Sequence, residues 1–292
     1  MGLGSIKYNG KKFNVIEELG CVRLEINHME IGDIAELKGL DKLKHVTALD
    51  LSNNKISEIS GLDLLTNLQQ LFLNNNQLTT IDGLENLTKL DRIFLNGNHI
   101  HELKGLNYQT NLIWLEINKN NITEIKGLDS LTNLIKLSLH DNQIKEIKNL
   151  GALTNLQSLL LNRNQISEIK NLETLTNLHL LFLDHNNITE IKGLETLKNL
   201  VNLNLNDNKL TEIKGLETLV NLETLYLDSN QITDLHNLES LEKLEKLKLL
   251  YLNFNPLEGE EKQFATYVQD FEVDKVKEFL ESYKKWKQVS GK

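Results

Sequence analysis

Leu71-Phe72-Leu73-Asn74-Asn75-Asn76-Gln77-Leu78 decides how this chain folds. Its skeleton, LxLxxNxI with Leu and Ile interchangeable, recurs along the sequence. The Asn falls at 54, 76, 98, 120, 142, 164, 186, 208 and 230, every step being 22 residues. At both ends the step lengthens to 25: Met29 replaces Asn in a first copy (Leu24, Ile26, Ile31), and Asn255 closes a last one (Leu250, Leu252, Leu257). That makes eleven copies. A fixed period of this length is the mark of a repeat architecture.

The physics of one copy follows from its residues. Leu71-Phe72-Leu73 alternates and predicts a short strand. The chain turns inward at Asn76, whose amide can satisfy backbone groups that a turn leaves unpaired, so stacked copies predict an Asn ladder. Beyond the strand, apolar residues recur every three positions, as in Leu62, Leu65, Leu68 and Leu71. This spacing suits tight helical turns or coil rather than an α-helix. Gly61, Gly83, Gly105, Gly127, Gly193 and Gly215 share one place in the repeat, as crowding or a positive φ would require. No copy can bury its apolar side alone, whereas a stack creates a continuous core. The expected fold is α/β: a right-handed solenoid with a parallel sheet on its concave face and helical turns or coil on its convex face.

An open solenoid needs caps. Around the Asn9-Gly10 turn pair, residues 6–15 predict a β-hairpin. After Asn255-Pro256-Leu257 two helical stretches are expected, near 258–270 and 273–288, with Val273, Val276, Phe279, Leu280, Tyr283 and Trp286 largely on one face. The expected organisation is a single domain: a hairpin cap over residues 1–21, eleven repeats over 22–257 and a helical cap over 258–292.

These residues resemble the leucine-rich-repeat family. The string Gly127-Leu128-Asp129-Ser130-Leu131-Thr132-Asn133-Leu134 is similar to its short 22-residue subclass, which includes the repeat regions of bacterial internalins and of a regulatory subunit of protein phosphatase 1. The resemblance covers about residues 22–257 and implies the solenoid. Asn-Pro-Leu followed by an aromatic-bearing helix is similar to the C-terminal cap of cytoplasmic members, whereas internalins continue into an immunoglobulin-like domain.

Composition narrows function. With 32 Lys+Arg against 41 Asp+Glu the net charge is −9, which disfavours a nucleic-acid or membrane-surface role. No apolar run reaches the roughly 18 residues of a membrane span. One cysteine, Cys21, rules out an internal disulfide and favours a reducing compartment. No phosphate-binding loop, nucleophile elbow or converging triad is present. Asp184, Asp207 and Asp228 on consecutive strands read as a solvated acidic rim rather than a cation site, and His140 and His185 stand too far apart for one metal. No enzyme, cofactor or metal is therefore expected.

Core positions are nearly all Leu and Ile, so specificity must lie in the outward columns. Seven aromatics occupy them: Phe72, Phe94, Trp114, Phe182, Tyr226, Tyr251 and Phe254. Aromatic clusters on a surface mark protein-binding sites. The predicted partner-binding set is Phe72, Phe94, Trp114, Glu116, Lys136 and His140, then Leu160, Arg163, Phe182, Asp184, His185, Tyr226 and Tyr251. Phe72, Phe94 and Trp114 form one expected patch; Leu160, Leu180 and Phe182 form another. Charges on this face run from basic in the middle to acidic in the C-terminal third, which would orient a matching partner. On the convex side, adjacent Glu and Lys columns read as a self-compensating surface. The reading is a non-catalytic scaffold or regulatory subunit, cytoplasmic and monomeric alone, that binds a protein partner on its concave face. Its alternative is an internalin-like surface or secreted adhesion protein. A site on the convex face or the C-terminal helices is also compatible with the sequence.

Overall fold

A computed structural model describes residues 3–233, 235, 238–257 and 273–290. The chain divides into two compact units, Met1–Ile144 and Lys145–Lys292.

The first unit opens with a hairpin of β1 (Ser5–Tyr8) and β2 (Lys11–Asn14). Its turn residues Asn9 and Gly10 take φ values of 47° and 75°, as a two-residue hairpin turn requires. Ile6 and, just past β2, Val15 are buried, and the Tyr8 hydroxyl donates to Glu36 at 2.8 Å. Next come β3 (Ile16–Glu18), antiparallel to β4 (Cys21–Glu25), and then a parallel run: β5 (Ala48–Asp50), β6 (Gln70–Phe72), β7 (Arg92–Phe94), β8 (Trp114–Glu116) and β9 (Lys136–Ser138). The second unit repeats the pattern with β10 (Ser158–Leu160), β11 (Leu180–Phe182), β12 (Asn202–Asn204), β13 (Thr224–Tyr226) and β14 (Leu249–Tyr251). Strands β4 to β14 are the eleven expected copies. Each ladder begins one residue earlier than the sequence predicts, at Gln70 rather than Leu71 in the quoted copy. The physical reason is that the Gln70 amide already donates to the Thr47 carbonyl of the preceding copy, at 3.0 Å; the chain then turns at Asn75, which takes φ 53°.

That turn residue is left-handed in every copy. His28, Asn53, Asn75, Gly97, Lys119, Asp141, Arg163, His185, Asp207, Ser229 and Phe254 all have φ between 51° and 66°. Asn, Asp and Gly tolerate this region, whereas other residues are strained in it. The turn, rather than its neighbours, sets the backbone here.

The expected Asn ladder lines the inside of the turn. Asn76 donates to the carbonyls of Leu51, Leu73 and Asn74 and accepts from the Ile56 amide at 3.0 Å. Asn98 and Asn208 do likewise in their units. Two further ladders were not foreseen. On the convex edge, Asn67, Asn111 and Asn133 of the first unit and Asn177, Asn199 and Asn221 of the second each donate to a carbonyl of the preceding copy at 2.8–2.9 Å. Beside the strands, the side-chain oxygens of Asn74, Asn96 and Asn118 accept the amides of Asn96, Asn118 and His140.

The three-residue apolar period is realised as i→i−3 turns. Leu65 donates to Leu62 and Leu68 to Leu65, both at 2.9 Å, and all three side chains are buried. Gly83 (φ 96°) lies where a Cβ would collide with the Ile59 carbonyl, so both reasons for a glycine hold at this place. Asn149 and Asn171 fill the same column at φ 58° and 60°.

One core position breaks the pattern. Gln109 stands where Leu65, Leu87 and Leu131 stand in other copies, and it is fully buried. Its amide donates to the Leu84 carbonyl at 2.7 Å, while its Oε1 has no partner.

In the second unit the C-terminal helix α1 (Val273–Ser290) presents Val276 and Tyr283 to the interior, with Leu280 half-buried between them. Lys284 pairs with Glu242 of the 3-10 turn Leu238–Lys243 at 2.6 Å. The stretch expected as a helix near 258–270, and the side chains of Val273, Phe279 and Trp286, lie outside the described residues.

Candidate protein-binding site

In β6, β7 and β8 strand alternation aims the first and third residues outward and buries the middle one. In the first unit this builds a continuous aromatic row. Phe72 and Phe94 stack at 4.7 Å with planes 4° apart. Trp114 meets Phe94 edge-on at 5.4 Å and 62°. Both ends of the row carry a cation of the chain itself: Arg23 sits over Phe72 at 5.4 Å, and Lys136 sits over Trp114 at 4.2 Å. Phe72, Phe94 and Trp114 are only partly covered.

Glu116 organises the Trp114 end. It accepts from Trp114 Nε1 at 2.8 Å, from Lys136 Nζ at 3.0 Å and from Asn96 Nδ2 at 3.1 Å. Burial acts to raise its pKa, but the bonds from Asn96, Lys136 and Trp114 outweigh it and hold the carboxyl below the usual range. At the other end, Arg23 pairs with Glu25 at 2.7 Å and with Asp50 at 3.4 Å. His140 is half-buried: its ring faces Asp141 at 2.9 Å and its backbone is held by Asn118. Ser138, in an outward column by sequence, is buried, because it is short and donates to Asn118 at 2.7 Å.

The second unit arranges its share differently. Leu160 pairs in register with Phe182, and Leu180 precedes Phe182 by two residues on the same face, so the expected apolar group forms. Asn204 separates Phe182 from Tyr226 in the ladder. Tyr226 and Tyr251 stack at 4.7 Å and 8°. Arg163 and His185 occupy left-handed turn positions and are exposed. The His185 ring lies between Asp184 (3.1 Å) and Asp207 (3.5 Å). Asp228 accepts the Asn253 amide at 2.6 Å. Burial raises its pKa, the Asn253 bonds pull it down, and neighbouring Asp207 raises it further. Phe254 projects into solvent, 84% exposed.

Sequence reasoning missed how far the chain satisfies these residues from within. The signal was present: Trp114 and Glu116 are two residues apart, hence on one face, and Lys136 is the register neighbour of Trp114. Among the described residues no group of three or more His, Cys, Asp or Glu side chains is placed to hold a metal ion, and no helix is long and apolar enough to cross a membrane. On the convex side of the second unit, Lys214 pairs with Glu190 at 3.3 Å and Glu212 at 2.6 Å, as expected of alternating charge columns.

This geometry has relatives. An internalin, InlF, from Listeria monocytogenes shares 25% identity with a TM-score of 0.65, over 85% of each chain. The functional domain of InlJ from the same organism shares 29% with a TM-score of 0.67, over 80% of this chain and 49% of that one. A leucine-rich-repeat protein of Leptospira interrogans shares 26% with a TM-score of 0.60, over 79% of this chain and 72% of its own. Among curated proteins none matches. The family model for leucine-rich repeats in two copies matches residues 66–108, 110–152, 176–218 and 198–240, about half of the sequence. The chain belongs to the leucine-rich-repeat family.

Proposed function

We propose that this chain is a non-catalytic scaffold that binds a protein partner on its strand face. The observation that carries the reading is the row Phe72–Phe94–Trp114. Its rings are outward, partly covered, and not required for the Leu/Ile core. Large aromatics held rigidly on a surface supply most binding energy at protein interfaces. Arg23, Lys136 and Glu116 fix the rings before a partner arrives, which lowers the ordering cost of association. In the second unit, Phe182 with Leu160 and the Tyr226–Tyr251 pair offer outward apolar surface of the same kind. The free thiol of Cys21, half-buried beside Thr47 at 3.8 Å, supports a reducing, cytoplasmic setting.

A second reading has its own support. The internalin likeness favours a surface or secreted recognition protein using the same face. Labelling of intact cells with an impermeant reagent separates the two, since only an exported protein would be labelled.

The test of the binding face is capture from native lysate by the wild type beside a Phe72→Ala, Trp114→Ala, Phe182→Ala variant of unchanged circular dichroism. A protein retained by the wild type and lost by the variant carries the reading. A protein retained equally by both overturns it and moves the site to the convex face or the C-terminal helix.

A further inference from the structure

The two aromatic stacks differ in one respect. In the first unit the chain caps its own row with cations, and Lys136 shows how: its ammonium lies 4.2 Å over the Trp114 ring and 3.0 Å from Glu116, two residues further along the chain. Aromatic, carboxylate at i+2 and cation together make a closed recognition unit. In the second unit Tyr226 and Asp228 repeat the aromatic and carboxylate at the same spacing, and Tyr251 stacks on Tyr226. Among the described residues no Lys or Arg lies over either ring, and none pairs with Asp228 or Asp207. Among the outward columns of this unit the acidic side chains are Asp184, Asp207 and Asp228; Arg163 is the sole arginine or lysine. Asp184 and part of Asp207 are engaged by His185.

We propose that this face of the second unit docks a basic protein segment, with a partner arginine lying on the Tyr226–Tyr251 pair and meeting the Asp228 carboxylate, Asp207 alongside. The inference deepens the scaffold reading and rests on it. Arginine fits better than lysine because its planar guanidinium stacks on a ring and hydrogen-bonds a carboxylate at once. The carboxylates differ in the same sense: bonds from Asn96, Lys136 and Trp114 outweigh burial and hold Glu116 below the usual range, whereas burial, with a smaller push from Asp207, holds Asp228 above it. An incoming cation would relieve the crowding of Asp207 and Asp228.

The test is fluorescence anisotropy on the full chain with labelled hexa-arginine amide, beside hexa-lysine amide and hexaglutamate. Two variants of equal charge change are compared: Asp207→Asn with Asp228→Asn on the strand face, and Glu190→Gln with Glu212→Gln on the convex side. The expected result is that hexa-arginine binds, weakens about tenfold or more in the first variant and less than twofold in the second (about 1.4 kcal/mol per tenfold). Tyr226→Leu should cost hexa-arginine more than hexa-lysine. Equal weakening by both charge variants would reduce the binding to bulk attraction by an acidic chain and overturn the proposal. No binding, or binding indifferent to Asp207 and Asp228, overturns it as well. A lysate partner still lost by the Phe72/Trp114/Phe182 variant would leave the scaffold reading standing in either case.

Discussion

Replacing Gln109 with leucine should make this protein more stable. The buried Oε1 of Gln109 accepts no hydrogen bond, and an unsatisfied buried carbonyl costs about 1–3 kcal/mol. The amide does donate to Leu84 O, a bond of about 1 kcal/mol net. Its loss does not orphan that carbonyl, because Leu84 O also accepts the Leu87 amide at 2.9 Å. Leucine adds apolar burial of about 1 kcal/mol at a position where Leu65, Leu87 and Leu131 already fit the same turn. The balance is a gain of about 1–3 kcal/mol, or roughly 2–5 °C in Tm for a chain of this size. The assay is urea unfolding followed by circular dichroism, with Gln109→Ala as the control that should lose stability. A higher midpoint at unchanged slope is expected. A Gln109→Leu midpoint at or below the wild type would mean that Oε1 is satisfied, by a trapped water for example, and would refute the accounting.

Other outcomes follow from the same structure. Gly83→Ala drives a Cβ against the Ile59 carbonyl, whereas Gly61→Ala meets nothing nearer than Ala35 at 3.8 Å; thermal unfolding should show a loss of about 3 kcal/mol or more for the first and about 1 kcal/mol for the second. Asn98→Ala removes an amide that serves Leu73, Leu95 and Leu78, and should cost about 3 kcal/mol or more in the same measurement. Asp228 has a raised folded pKa, so its charge opposes folding above that value and not below the unfolded value of 3.8. Asp228→Asn should therefore gain stability over wild type at pH 7 and lose that advantage by pH 3.5 in urea titrations. Glu116 has the opposite sign: its contribution is present at neutral pH and lost as pH falls through its depressed pKa, and Glu116→Gln should cost about 1–2 kcal/mol at pH 7 by urea unfolding.

The sequence made the strand, the inner Asn ladder and the convex turns legible because each depends on a residue type repeated at one place. Asn76 and Leu71 mean the same thing in every copy. The outward aromatics were legible for the converse reason, being large apolar residues where the core needs none. What escaped depends on reach rather than position. Lys136 over Trp114 and Arg23 over Phe72 are choices of side-chain rotamer across neighbouring strands, and the repeat does not encode them. Gln109 escaped because one polar residue in a long Leu column reads as tolerance until its oxygen is found unpaired. The ladder of Asn74, Asn96 and Asn118 escaped because a half-exposed Asn beside a strand looks like surface decoration.

The left-handed turn residue of each copy gives the family of such sequences a place to vary. Outside glycine, asparagine and aspartate, the residues there carry about the same backbone penalty, on the order of 1–2 kcal/mol, so exchanging lysine for arginine or histidine for serine leaves that cost nearly constant. This chain already displays His28, Lys119, Arg163, His185, Ser229 and Phe254 along the column. A partner specificity could be rewritten there one copy at a time while the core below keeps the same shape.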